Sequence, residues 1–402
     1  MIERNLGPEL LSSIGRKQSL FLFGPRQTGK STLLGEVSSQ YRNTIEYSML
    51  KVSLRQRLER TPEILRQEVA SARPDLVILD EVQRVPELLD EVQWIIDNEE
   101  TTFAITGSSA RKLRRRGVNM LAGRALTFRL DPFDLRERRR IPGTSPLDGA
   151  LQTILTYGDL PRIGLMVGRN ELRGARGLLR SYAETFIEEE IRMESQVRKI
   201  GVFGSFLKMA AEDSGKIVNL RELAQDVGAS HQTISSFYQV LQDCLIVEEF
   251  PSLVPASTRR RLSRASKYVF FDLGVRNACA GALRSEGVQS EEWGSRFEQW
   301  VGLSILRHYR SIDEDARIYY WRDHSGPEVD WVIERSGRWT PVEAKLTDNP
   351  QARHIRHLAV FLDEYPDRTD QAILVYAGER ERKLADRVTA VPWHQLDEIL
   401  PA

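Results

Sequence analysis

The chain has 402 residues and only two cysteines, Cys244 and Cys279. Two cysteines build no disulfide framework, and neither has a neighbour at C-x-x-C spacing. Both are expected to pack as small apolar side chains in a reducing compartment. No apolar run approaches the ~18 residues that a membrane span needs. The stretch MIERNLGPELL at the N-terminus has no apolar signal core, so the expected location is the cytoplasm, with no membrane partner. Net charge is lacking too. Lys+Arg and Asp+Glu each number 57, so overall charge does not point to nucleic acid. Hydrophobic residues at 41% and charged residues at 28% give the balance of a globular protein. The length suits two or three domains.

The local charge is less even. Residues 111–140 carry eleven Lys/Arg against three Asp/Glu. Such an excess serves phosphates in some proteins and forms a solvated face in others. The strongest signal lies earlier, in LFLFGPRQTGKST at residues 20–32. Leu20 to Phe23 form a short apolar run, as in a buried parallel strand. Gly24 and Gly29 bracket four residues, and Lys30 and Ser31 follow at once, the G-x-x-x-x-G-K-[ST] pattern. Glycines let the loop curl so that its N–H groups face phosphate oxygens. Lys30 is expected to reach the β- and γ-phosphates of ATP and Ser31 to sit on Mg²⁺. Gln27, Thr28 and Thr32 complete the expected cradle, and the helix starting near Lys30 adds its positive end.

A second motif follows. Residues 76–79 are wholly apolar, and Asp80 and Glu81 stand at their carboxyl end, where open α/β sheets bind ligands. Asp80 is expected to hold Mg²⁺, and Glu81 to orient and deprotonate an attacking water. A further strand is expected over 102–105. It ends in Thr106-Gly107-Ser108-Ser109, hydroxyl groups that suit either a γ-phosphate contact or a helix N-cap. Helices are expected over 31–40 and, as one piece, 54–72, with strands over 44–49 and 125–130. Alternating strands and helices imply a parallel sheet covered on both faces.

Taken in order, GPRQTGKST, LVILDEVQ, TGSSARKL, LAGRALTFRLDPFDLRE and YGDLPR resemble bacterial and archaeal AAA-type ATPases in which a domain of unknown function follows the ATPase domain. The resemblance spans about 20–345. It implies a P-loop NTPase sheet of ASCE type, with the Asp80 strand separated from the phosphate-loop strand by another. It also implies Glu81 as catalytic base and Thr106 or Ser108 as sensor. Arg124 matches an arginine of that pattern, used either as a finger on a neighbour's ATP or in a structural ion pair. Relatives of this kind often form rings and many do not, so a homo-oligomer is open.

A Pro/Gly/Ser-rich break at 142–146 suggests the first boundary, giving an ATPase domain over 1–143. A helical and winged-helix domain is expected over 144–258. It includes one long helix at 178–193, whose Glu188-Glu189-Glu190 run reads as a solvated face because consecutive residues do not share a helix side. Residues 220–240 have a helix-turn-helix look with Gly228 at the turn, and a strand near 245–250 makes the wing. The second helix, SHQTISSFYQVLQD, has no Lys or Arg. DNA affinity rests largely on such residues, so packing is favoured over DNA reading, although His231, Gln232 and Thr233 could touch bases. Arg259, Arg260, Arg261 and Arg264 either contribute to nucleic-acid contact or form a linker.

Over 259–402 an α/β domain is expected. Glu298 lies on a helix, Asp330 on a strand, and Glu343 and Lys345 two apart on the next strand, hence on one face. Carboxylates and a lysine on one patch suit a divalent metal and phosphate chemistry. The order of helix Glu, strand Asp, strand Glu-x-Lys, helix and strand resembles the PD-(D/E)xK restriction-endonuclease-like fold. That resemblance implies Glu298, Asp330 and Glu343 as metal ligands, with Asp330, Glu343 and Lys345 catalytic. It is open whether the domain cleaves DNA or is an inactive remnant that binds nucleic acid or protein.

Overall fold

The computed structural model describes residues 2–107, 121, 123–143, 150–186, 200–254, 265–283, 292–312, 315–323 and 326–400. They fall into two compact units. One reaches Pro132 and also takes Asp243–Leu245; the other takes Phe133–Gln242 and everything from Ile246.

Among the described residues, the first unit holds a five-stranded parallel sheet. Its strands are β1 (Ser19–Phe23), β2 (Thr44–Ser48), β3 (Leu76–Asp80), β4 (Thr102–Gly107) and β5 (Ala125–Arg129), in the order β2-β3-β4-β1-β5. The strand bearing Asp80 is thus separated from β1 by β4, as the family resemblance implies. The unbroken apolar runs follow from burial on both faces. Phe21, Phe23, Val77 and Leu79 pack into one core, and Leu20, Leu22, Leu76 and Ile78 into the other. Each such side chain contributes about 1.5–3 kcal/mol by leaving water. The single helix expected over 54–72 is two, Val52–Arg60 and Ile64–Ala72. Pro62 disfavours helical backbone at Thr61, which sits at φ −145° and ψ 79°.

The second unit is built on a mixed sheet, six-stranded among the described residues. Its strands are β8 (Arg317–Arg322), β9 (Glu328–Arg335), β10 (Arg338–Lys345), β11 (Ala372–Tyr376), β12 (Arg382–Ala385) and β13 (Val388–Pro392), in the order β12-β13-β11-β10-β9-β8. Pairing is antiparallel from β8 to β10 and parallel from β10 through β11 to β13. The helix Trp293–Ser311 packs Phe297, Trp300 and Val301 with Trp331, Val342 and Val375. The helix Arg356–Glu364 packs Leu358 and Phe361 with Val332, Trp339 and Leu374.

Ahead of this sheet, helices Leu220–Val227 and His231–Asp243 precede an antiparallel strand pair, β6 (Val247–Phe250) with β7 (Lys267–Phe270). Gly228 ends the first helix at φ 70°, where a side chain would be strained. The expected helix at 178–193 is described as Leu172–Ser181 followed by a π-turn over Tyr182–Phe186. Its glutamate run, the Arg259–Arg264 group, Ser108 and Ser109 lie outside the described residues. Leu155, Phe250 and Val269 share a core with Trp300 and Trp331, and the helical segment and the later sheet lie in one compact unit. Among the described residues, no helix is long and apolar enough to cross a membrane.

Candidate functional site

The nucleotide cradle is set by close approach. Added to Gly24, a Cβ would stand 2.3 Å from the Leu130 carbonyl oxygen, so only glycine lets the loop leave β1 beside the end of β5. Gly29 turns the chain at φ 94° into the helix Lys30–Ser38, whose first turn has no side-chain cap. Its leading N–H groups are therefore left to a ligand. Thr28 Oγ1 donates to the Pro25 carbonyl at 2.9 Å and pins the loop. Gln27 stands at φ 64°, and its Oε1 is buried without a hydrogen-bond partner. Lys30 is nearly buried, and its Nζ donates to the carbonyls of Gly24 at 2.8 Å and Pro25 at 3.0 Å. Ser31 and Thr32 lie exposed on the first turn. The Gly24 cradle and the inward lysine fit a polyphosphate.

Strand ends bring the hydroxyls to Asp80. Its Oδ1 accepts from Ser31 Oγ at 3.0 Å and Thr106 Oγ1 at 2.7 Å, and its Oδ2 from Ser48 Oγ at 3.4 Å. A buried carboxylate gathering hydroxyls from three strand and helix ends suits an oxygen-ligated Mg²⁺. Glu81 follows in the left-handed region at φ 61°, a conformation costing about 1–3 kcal/mol for a residue with a side chain. Its N–H donates to Thr106 Oγ1 at 2.9 Å, and its carboxylate accepts from Gln83 Nε2. Arg124 Nε meets Asp97 Oδ1 at 2.6 Å on the surface, which is its ion-pair use.

Sequence reasoning missed Arg4. Its buried guanidinium donates to the Thr28 carbonyl at 2.6 Å and the Asp131 carbonyl at 2.7 Å, tying the loop to the segment after β5. No pattern in the N-terminal stretch signals this, because both partners are main-chain atoms far along the sequence.

In the second unit Asp330, Glu343 and Lys345 do meet. Lys345 Nζ lies 2.6 Å from Glu343 Oε1 and 3.9 Å from Asp330 Oδ2. The β9–β10 ladder ends at Trp331↔Val342, one residue short of Asp330. The Ala344 N–H is taken instead by Asp330 Oδ2 at 2.9 Å. Glu343 is buried, and its Oε2 has no hydrogen-bond partner. Burial first, then the charge of Asp330, pushes the Glu343 carboxyl up to about 8. The same two causes push Glu298 up to about 7.

Among the described residues no three His, Cys, Asp or Glu side chains are grouped to hold a metal ion. A second lysine stands in the cluster. Lys267 Nζ stands 2.9 Å from Glu298 Oε1 and 2.9 Å from Glu328 Oε1. Glu328 was legible, being two residues from Asp330 on the same strand face. Lys267, the first residue of β7, was not.

Two uncharacterized proteins, one of Mycobacterium bovis and one of Mycobacterium tuberculosis, are each 25% identical to this chain over 405 residues, spanning 98% of it and 84% of the relative. A Walker-type ATPase of Pyrococcus abyssi superposes with TM-score 0.49 at 15% identity, over 69% of this chain and 96% of that one. Residues 16–138 match the family model of an AAA domain. Residues 150–286 and 293–396 match models of two domains of unknown function, DUF8612 and DUF4143.

Proposed function

We propose that this chain, whose residues 16–138 form an AAA-type P-loop domain, binds ATP with Mg²⁺ and hydrolyses it. The convergence of Ser31 and Thr106 on Asp80, with the Lys30 ammonium held inward on the loop carbonyls, carries this reading. The loop N–H groups over Gly24–Lys30 and the open helix start take phosphate oxygens. Lys30 exchanges its two carbonyl partners for the β- and γ-phosphates. Ser31 and Asp80 hold the ion, which when bound neutralises charge on the phosphates. Glu81 orients the attacking water and takes its proton, and Thr106 couples Asp80 to the Glu81 main chain. In the test, Lys30→Ala loses nucleotide binding, whereas Glu81→Gln binds ATP and releases no phosphate. Wild-type turnover in Glu81→Gln removes the base assignment.

The ATPase cycle is coupled, in this reading, to nucleic-acid interaction or processing by the second unit. The helix pair with β6–β7 is read as a winged helix, and the cluster of Glu298, Asp330, Glu343 and Lys345 as PD-(D/E)xK-like. The Lys/Arg-free helix His231–Asp243 makes a poor anchor for duplex phosphates, so nucleic acid is engaged by other surfaces. One observation favours a second reading. Lys267 and Lys345 already pair with carboxylates of the acidic cluster, as expected of a nucleotide-dependent switch whose second unit is an interaction module without nuclease activity. Cleavage of circular plasmid in Mg²⁺ or Mn²⁺ supports the first reading, and intact plasmid at full ATPase activity supports the second. A gel shift on random duplex tests a third, a DNA-bound regulator. The cytoplasm is the proposed location.

A further inference from the structure

Lys267 occupies an unusual position for its residue type. It opens β7, where it pairs with Phe250 of β6 and forms an isolated bridge to Ile217. Its side chain is only 2% exposed. The ammonium lies 2.9 Å from carboxylate oxygens of both Glu298 and Glu328, and 5.3 Å from the ring centroids of Tyr320 and Trp331. Every group recorded around it is thus negative or presents a π face, which is an environment for a cation. Glu298 and Glu328 each give an oxygen to the same ammonium. Across the cluster Glu343 also gives one oxygen to an ammonium, that of Lys345 at 2.6 Å, but its other oxygen is buried without a hydrogen-bond partner.

We propose that Lys267 is a resident cation that closes the Glu298–Glu328 side of the acidic cluster to divalent metal, leaving Asp330 and Glu343 as the side that accepts it. The inference rests in part on the reading that this cluster takes a divalent ion. It goes beyond that reading by removing Glu298 from the ligand set and by giving the β6–β7 pair a role in setting metal stoichiometry. A divalent ion with oxygen ligands at about 2.0–2.6 Å needs the space and the carboxylates that the ammonium already uses. An ammonium fixed to the chain cannot diffuse away, so competition from bulk metal is met at high local concentration.

Calorimetric titration of the full chain with Mn²⁺ tests this on wild type, Glu298→Gln, Glu343→Gln, Lys267→Met and the double variant Lys267→Met/Glu298→Gln. Wild type is expected to bind one Mn²⁺ in this unit, with affinity changed less than twofold in Glu298→Gln and lowered at least tenfold in Glu343→Gln. Lys267→Met is expected to gain a second Mn²⁺ or at least tenfold in affinity, and the double variant to lose that gain. A tenfold loss in Glu298→Gln alone overturns the proposal, and this arm needs no lysine variant to fold. A folded Lys267→Met protein, judged by circular dichroism, that gains no Mn²⁺ also overturns it. If wild type binds no Mn²⁺ but Lys267→Met does, the metal reading of the Asp330–Glu343 side fails while the role of Lys267 stands.

Discussion

Gln83 donates its side-chain amide to the carboxylate of Glu81, two residues back along the chain. The same glutamine lies against the last residue of β4, where a Cβ added to Gly107 would come 3.0 Å from Gln83 Oε1. Gln83 therefore fixes where the Glu81 carboxylate points relative to the strand that carries Thr106.

Removing that amide is expected to lower turnover without weakening ATP binding. Gln83→Ala should reduce kcat about tenfold, well short of the roughly 10²–10⁴-fold loss expected for Glu81→Gln if its carboxylate is the proposed base. Steady-state phosphate release gives kcat, and a fluorescent-nucleotide titration gives affinity. Unchanged kcat in Gln83→Ala would show that the contact does not position the base.

The phosphate loop is braced from two sides, and the two braces should fail differently. Gly24→Ala places a methyl group 2.3 Å from the Leu130 carbonyl, so the loop must shift. Nucleotide affinity should fall at least tenfold, or about 1.4 kcal/mol. Arg4→Ala removes the tether to Thr28 and Asp131 but leaves the loop path open. Its effect on affinity should be smaller, and Arg4→Lys should restore little because one ammonium cannot reproduce a two-pronged guanidinium. Equal affinities in wild type and Gly24→Ala would refute the steric argument.

A buried network in the second unit absorbs the YGDLPR motif. Asp159 accepts from Arg138 at 2.9 Å and Arg307 at 2.9 Å, and its N–H donates to Asp272 Oδ2 at 2.6 Å. Asp159→Asn leaves two buried guanidinium groups without their carboxylate, at a cost of about 3–5 kcal/mol. Burial first, and then the Asp159 charge, pushes the Asp272 carboxyl up to about 6. A carboxyl raised in the folded state stabilises the fold when protonated. Its contribution is complete below about pH 3.9 and is lost as pH rises through about 6. Wild type should therefore lose stability relative to Asp272→Asn between pH 4.5 and pH 7, by an amount of order 2 kcal/mol in urea unfolding. Parallel pH profiles for the two proteins would show that Asp272 does not titrate in this window.

Arg124 offers a choice between two roles. As a solvent-screened surface pair with Asp97 it contributes little to stability, and Arg124→Ala should then behave like Asp97→Ala. As a finger on a second copy it must leave Asp97, and its loss should lower turnover about 10³-fold or more. Mixing Arg124→Ala with Lys30→Ala protein distinguishes these. Recovered hydrolysis in the mixture supports a finger acting between copies, and normal turnover of Arg124→Ala alone ends that idea.

The nucleotide site was legible because its parts are contiguous. One strand, one loop and one helix start lie within residues 19–38, and Asp80 with Glu81 follows a single apolar run. Periodicity also placed Glu343 and Lys345 on one face. What escaped was whatever depends on residues far apart in the chain. Arg4 works through main-chain carbonyls at Thr28 and Asp131, and no side-chain pattern encodes them. Lys267 reads as a polar strand start until Glu298 and Glu328 are seen around it. The single helix expected over 54–72 failed for a local reason, since the apolar spacing continued in phase across Pro62 and hid the break.

The position of β4 has a consequence for what can stand between loop and base. Neighbouring strands lie about 4.8 Å apart, so with β4 between them the axes of β1 and β3 are about 10 Å apart. A phosphate oxygen, a water and a carboxylate in line need two hydrogen-bond steps of about 2.8 Å, with the remainder filled by the glutamate stem. Were β3 next to β1, a carboxylate at its end would stand one strand step away. In the proposed hydrolysis the sheet order thus acts as a spacer, one strand thick, between the loop and Glu81.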